Sequence, residues 1–367
     1  MLKNWIKNNV ITTVIIILAL LTCIFIPIDK EYINYFDYKT LICLTCILVS
    51  VQCLKDSGFF QFISKKLVYV FKSTRSVILA LILLTFVTDL FLANDMSLIT
   101  LLPLTYIVLK STNNMKYFAL TLILQNIAAN MSGMITPHGN PQNIYLYSFY
   151  NIPTLEFIKI LLPHFFIVLF LLVFIPLLVV KKEPLKLVMD DERKVDSNIF
   201  IYFIMFLISL LTIFRVIPYF LGLIIVFVLA FLFNKKAIKH MDWDLILTFS
   251  AFFVFSGNIS RIPVIKEFLI SLLDKSVLLT GLLSCQFISN VPSAILLSKF
   301  TMDYHNLIVA VNIGSLGTLI SSLASLITLK HYLKGEKNLF KYILIFTLIN
   351  IIFLVVLLFY IFISGQF

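Results

Sequence analysis

Residues 157–180 form one long apolar stretch with a single charged residue, Lys159, near its start, and similar stretches recur along the chain from Val10 to the segment 342–363. A helix crosses the ~30 Å hydrocarbon core of a bilayer in about 20 residues, so a chain built from such stretches is built for lipid. Apolar residues make up 60% of the 367 and charged residues only 13%, where an average soluble domain carries ~25% charged residues. A water-soluble fold of this size would lack the polar groups to cover its surface. That excludes a soluble enzyme, a nucleic-acid binder and a disordered chain. A membrane β-barrel would show short alternating segments instead. The predicted fold is an all-α polytopic membrane protein.

By this ruler the spans fall at about 10–28, 40–54, 76–109, 117–150, 157–180, 198–214, 218–234, 242–257, 276–301, 306–329 and 342–363. Segments 55–75 and 260–275 are amphipathic and are expected to lie along the interface. The first stretch follows Lys3 and Lys7 as a signal peptide would, but no small-residue cleavage site follows, so it is read as a retained span. The polar segment 181–197 is expected to be a cytoplasmic linker between an N-terminal half, 1–180, and a C-terminal half, 198–367. With the N-terminus cytoplasmic, 21 of the 29 Lys and Arg fall on one side of the membrane. The net charge of +11 thus reads as positive-inside bias and points to a multi-pass plasma-membrane protein rather than to an acidic partner. Cys43 and Cys46 form a C-x-x-C with no second pair or flanking His, so the cysteines read as small buried hydrophobes.

Four stretches are interrupted, at 92–95, 136–141, 289–292 and 314–317. Overlaying the halves puts Phe91, Asn94, Ser97 and Ile99 on Phe287, Asn290, Ser293 and Ile295, and Asn130 and Thr136 on Asn312 and Thr318. Segment 139–143 then falls on 321–325, small and polar in both. Each half reads as an interfacial segment, a re-entrant hairpin (about 76–109 and 276–301) and a broken helix (about 117–150 and 306–329). An odd number of crossings between them inverts the second copy. Two inverted-topology repeats with discontinuous transmembrane helices are an architecture of secondary transporters.

Unwound backbone inside a bilayer is costly unless it lines a protein-enclosed cavity, so the breaks are expected to meet. Half-helix N-termini suit an anion, while half-helix C-termini and freed carbonyls suit Na⁺. Asn94, Asn140, Asn143 and Asn290 supply amides, and Ser97, Thr136, Ser289, Ser293, Thr318, Ser321 and Ser322 supply hydroxyls. Gly139, Pro141, Asn312 and Gly314 complete the candidate set. The bland alternative is that polar residues in apolar helices merely bridge neighbouring helices. Asp89 and Asp95 are acids at membrane depth, where a carboxylate costs ~2.5–3.5 kcal/mol. Asp95 would ligate Na⁺, with Asn94 and Asn290, or carry a proton, or cap a half-helix. Asp89 would serve in proton coupling, or face Thr88 or a backbone donor. His138 is a further candidate for proton coupling, or a neutral hydrogen-bonded ring. No spacing marks a catalytic triad and no Walker A loop is present, so neither an enzyme nor direct ATP drive is expected.

The motifs ANDMSLITLLPL (93–104), ITPHGNPQNIYLY (135–147), QFISNVPSAILLS (286–298) and NIGSLGTLISSLASL (312–326) resemble the ion transporter superfamily. The similarity is to citrate-transporter-like permeases related to divalent anion:sodium symporters, and to arsenite-efflux and NhaD-type sodium/proton antiporter permeases. It implies paired hairpins and broken helices, an elevator-type shift and often a homodimer. In the dicarboxylate symporters a Ser-Asn-Thr at each hairpin tip binds carboxylate and Na⁺. Asn94, Asn290 and Ser289 match that motif, whereas Ala93, Asp95 and Val291 depart from it. Asn94 with Asp95, and Thr136 with Pro137, look more like the arsenite and sodium/proton branch. The resemblance implies no cofactor beyond Na⁺ or H⁺ as coupling ion. The expected function is ion-coupled transport of a small anion across the bilayer, with a sodium/proton antiporter and a gated channel as the alternatives.

Overall fold

The computed structural model describes residues 10–59, 62, 70–90, 94–184 and 196–365. Residues 60, 61 and 63–69 of the expected interfacial segment 55–75, most of the linker 181–197, the tip residues 91–93 and the side chain of Asp95 lie outside that description. The described residues are helical apart from connections and one isolated bridge, Ser73 with Pro184. The helices are α1 (Val10–Phe25), α2 (Tyr38–Asp56), α3 (Thr74–Asp89), α4 (Asn94–Ser111), α5 (Phe118–Ser132), α6 (Pro141–Phe149), α7 (Thr154–Val179) and α8 (Ile199–Ile213). They continue with α9 (Tyr219–His240), α10 (Trp243–Ser260), α11 (Pro263–Leu273), α12 (Val277–Ile288), α13 (Asn290–Leu297), α14 (Tyr304–Ile313), α15 (Leu323–Gly335) and α16 (Leu339–Ser364).

Among the described residues six helices are long and apolar enough to cross a membrane: α2, α5 with its 3-10 flanks (Met115–Ile135), α7, α9, α10 and α16. The protein is an all-α polytopic membrane protein, as its composition demands. Rows of exposed apolar side chains, such as Phe166, Phe170 and Phe174 on α7, face outward to meet lipid.

Local chemistry sets most boundaries. α1 stops at Phe25 because Ile26 precedes Pro27, and proline disfavours helix in the residue before it. Ser73 and Ser76 close a capping box at the start of α3, and Ser276 accepts from Leu279 N at the start of α12. Asp303 and Ser322 do the same for α14 and α15. The span expected at 218–234 runs on to His240 in α9. Asn234 leaves helical geometry there, donates to Asp56 Oδ2 and recaps the last turns by accepting from Ala237 N.

α1 lies on α10, and α2 lies between α8 and α9. The remaining helices build a second layer: α3 and α4 pack on α5, and α12 and α13 pack on α14. The halves also interlock, with α4 against α15 and α13 against α6. These crossed contacts bring the breaks of both halves together. α2 touches that layer through α6, and α10 touches it through α13.

Candidate substrate and ion site

α3 ends at Asp89, whose side chain is fully buried. Its carboxylate accepts from Ser97 Oγ on α4 (3.2 Å), Ser132 Oγ at the end of α5 (2.8 Å) and Gly133 N (3.0 Å). Hydrogen bonds to a charged group contribute about 1.5–3 kcal/mol each, so three of them offset the cost of the carboxylate at this depth. Thr88, the other partner considered for Asp89, turns back to Leu84 O and Thr85 O.

Gly133 has no side chain for a local reason. A Cβ there would lie 2.7 Å from Asn140 Oδ1, 2.9 Å from Asp89 Oδ2 and 2.9 Å from Gly139 O. Three oxygens therefore converge on its bare face. Gly139 must also be glycine, because its Cβ would collide with the Gly133 backbone. Asn140, at the N-cap of α6, spends its side chain on Asn130 O (2.9 Å) instead of capping, and its Oδ1 has no hydrogen-bond partner. Thr136 Oγ1 and Gln142 Oε1 are likewise buried without one. Such buried acceptors are uncommon, and each calls for an explanation. Pro141, at the first helical position of α6, lacks the N–H that would be left over.

Asn130 is the hub of the site. Its Oδ1 accepts from Asn94 Nδ2 at the start of α4 (3.3 Å) and from Ser322 Oγ at the N-cap of α15 (2.7 Å). With Asn140, three helix N-termini meet on this one residue. The fourth joins through Ser321, the residue before Ser322, since Asn290 N, at the start of α13, donates to Ser321 O (3.0 Å). Asn312 mirrors the hub: its Nδ2 donates to Asn143 Oδ1 on α6 (2.8 Å), and its Oδ1 accepts from Gln142 Nε2 (3.4 Å).

Ser289, between α12 and α13, adopts φ 75° and ψ 159°, a region that disfavours any residue but glycine. Its hydroxyl and Asn290 N both reach Ser321 O, which hold the strained turn, and Asn290 Oδ1 accepts from Val291 N. Ser293 donates to Ser289 O, and Ser321 Oγ donates to Ser315 O and Thr318 O. Gly314 caps α14.

The four helix N-termini and their amides meet at one buried node, and likenesses to known proteins say what kind of protein holds it. Residues 2–306 match the sequence profile of a family described as citrate transporter. The chain belongs to the citrate transporter family. An uncharacterized transporter of Methanocaldococcus jannaschii is 34% identical over 345 residues, 94% of each chain. The inner membrane protein YbiR of Escherichia coli is 29% identical over 316 residues, 83% of each chain. A Dictyostelium discoideum chain with a transporter designation, arsB, is 26% identical over 117 residues, 32% of this chain and 20% of that one. The protein is a multi-pass membrane transporter.

Within this transporter not every candidate residue joins the node. Thr318 is exposed and is bound by Gln286: its N donates to Gln286 Oε1 and its hydroxyl to Gln286 O. His138 lies at the rim of the first break, its Nε2 3.1 Å from Leu90 O and its ring edge-on to Phe214. Asn143 holds the break by donating to the carbonyls of Gly133, Met134 and Thr136. Sequence reasoning passed over Asn130, Gln142 and Gln286. Asn130 was visible as one half of an aligned Asn pair, and the two glutamines as amides within otherwise apolar motifs.

Proposed function

We propose that this transporter is an ion-coupled secondary carrier of a small anion, a carboxylate or arsenite, in the plasma membrane with its N-terminus cytoplasmic. The carrying observation is the buried junction of four helix N-termini on Asn130 and Ser321, beside the unpartnered oxygens of Thr136, Asn140 and Gln142. The N-termini suit the anion. The oxygens converging on Gly133 are the hard donors that Na⁺ takes. Asp89 gives a reason for coupling. An anion beside its buried carboxylate is repelled in a medium of low dielectric, so a cation must bind with it. The family description, citrate, supports the anionic substrate.

The two halves act as inverted copies, a reading supported by the crossed packing of α4 on α15 and α13 on α6. In an elevator shift the contacts of α2 with α6 and of α10 with α13 give way to their symmetry counterparts, α2 with α4 and α10 with α15. The test is uptake of citrate, succinate and arsenite into proteoliposomes under imposed Na⁺ or proton gradients. Uptake of one of them that collapses with the gradient supports the reading. Flux indifferent to an opposing ion gradient, with unitary currents, replaces it with a channel.

The buried Asp89 also favours a second reading, a sodium/proton antiporter in which Asp95, in the first turn of α4, exchanges the proton. That reading requires Na⁺-dependent proton release from everted vesicles with no anion present.

A further inference from the structure

A cavity of about 240 Å³ opens at the end of α6 far from the node, lined among others by Lys39, Cys43, Tyr147, Ser148, Arg215 and Tyr219. It lies beside the start of α7, at the opposite end of that helix from Lys181. Lys39 sits in the first turn of α2, and Arg215 in the connection between α8 and α9. Arg215 adopts φ 65°, a conformation that costs a non-glycine residue energy. Its guanidinium donates to Ile152 O (3.3 Å) and Tyr147 O (2.6 Å) and lies 4.0 Å from the centre of the Tyr147 ring. Those partners fix the group but leave its charge uncompensated. Neither Lys39 nor Arg215 takes part in an ion pair among the described residues, and no Asp or Glu lines the cavity. Asp37, whose carboxylate accepts from Thr40 N and Thr40 Oγ1 at the cap of α2, is the acid nearby, and the two cations outnumber its single negative charge.

We propose that this cavity is a vestibule that binds a small soluble oxyanion, about one α6 length (~13 Å for nine residues) from the node. The fixed guanidinium of Arg215 and the exposed Lys39 line the same concave apolar wall, which focuses the field and raises the local concentration of anions. The volume falls below the ~300–1,000 Å³ of cavities that take drug-sized ligands, so the occupant is small. The other end of α6 carries Asn140 and Asn143, so an anion held here waits at the same short helix that serves the node. The vestibule goes beyond the transport reading and needs neither a gradient nor turnover.

Ser148 lines the cavity half-buried, which makes Ser148→Cys a reporter close to the native shape. The full-length variant in detergent is treated with an anionic or a cationic methanethiosulfonate, and modification of the peptide containing residue 148 is followed by mass. The anionic reagent is expected to react about tenfold faster. Millimolar citrate or succinate should slow it, and adding Lys39→Gln, a change at an exposed position, should reduce the preference, with the Arg215 charge still in place. Equal rates, a faster cationic reagent, no reaction, or protection by phosphatidylglycerol alone would each overturn the vestibule. Because labelling is read without transport, it stands or falls separately from the carrier assignment.

Discussion

The two broken hairpins use different chemistry to clip the same kind of break. At the end of α3, Asp89 closes the first break with a carboxylate that takes a backbone N–H and two hydroxyls. At the end of α12, Gln286 closes the second with a neutral amide: its Nε2 donates to Gly314 O (2.9 Å) and Leu316 O (3.0 Å), and its Oε1 accepts from Thr318 N (2.9 Å). The first break keeps three buried oxygens unpartnered, whereas none of the side chains at the second does so. Gly133 also shows a bare face to converging oxygens, while the overlaid position in the second half is Ser315, whose hydroxyl turns to Asn312 O. In the proposed carrier, ion sensitivity is therefore expected to be concentrated in the first half, with the second half as a satisfied frame.

The hairpin tips are the one place where the halves should behave alike. Asn94→Ala and Asn290→Ala are each expected to abolish uptake in proteoliposomes while the protein still inserts and purifies folded. One removes a donor to Asn130, and the other an acceptor for Val291 N. Normal transport by both would dissolve the shared node.

Away from the tips the halves should diverge. Asp89→Asn is expected to lower coupling-cation affinity at least about tenfold, a difference of 1.4 kcal/mol, since it replaces the only carboxylate among the described side chains of the node. Gln286→Ala leaves two carbonyls and an N–H of the second break without their partner. It should cost about 2 kcal/mol of stability and change cation affinity less than about twofold. Thermal unfolding with and without Na⁺ separates the two effects. An equal loss of cation affinity in both variants would erase the contrast.

How much of this was legible in the sequence follows from what each residue type reveals on its own. Proline, glycine and asparagine inside apolar stretches expose a break, because few physical reasons place them there. The breaks at 136–141 and 289–292 could be read for that reason. A side chain's partner in space leaves no such trace. Asn130 lies within a helix and reads as any bridging amide, yet it joins both halves. Asp89 stood out by its charge, but its partners Ser132 and Gly133 are more than forty residues away. Gln286 looks like a helix residue until the fold brings Gly314 and Leu316 beneath it. Thr318 followed from the overlay with Thr136, but the longer second break carries it outward into contact with Gln286.

Gly133→Ala gives the contrast a finer edge. The new Cβ enters the space shared by Asn140 Oδ1, Asp89 Oδ2 and Gly139 O, and overpacking of this kind costs about 1–3 kcal/mol. Because the crowded atoms are the oxygens assigned to the cation, Na⁺ should stop raising the melting temperature even where the variant folds. Ser315→Ala at the overlaid position should leave the response to Na⁺ intact. A preserved Na⁺ response in Gly133→Ala would move the cation elsewhere.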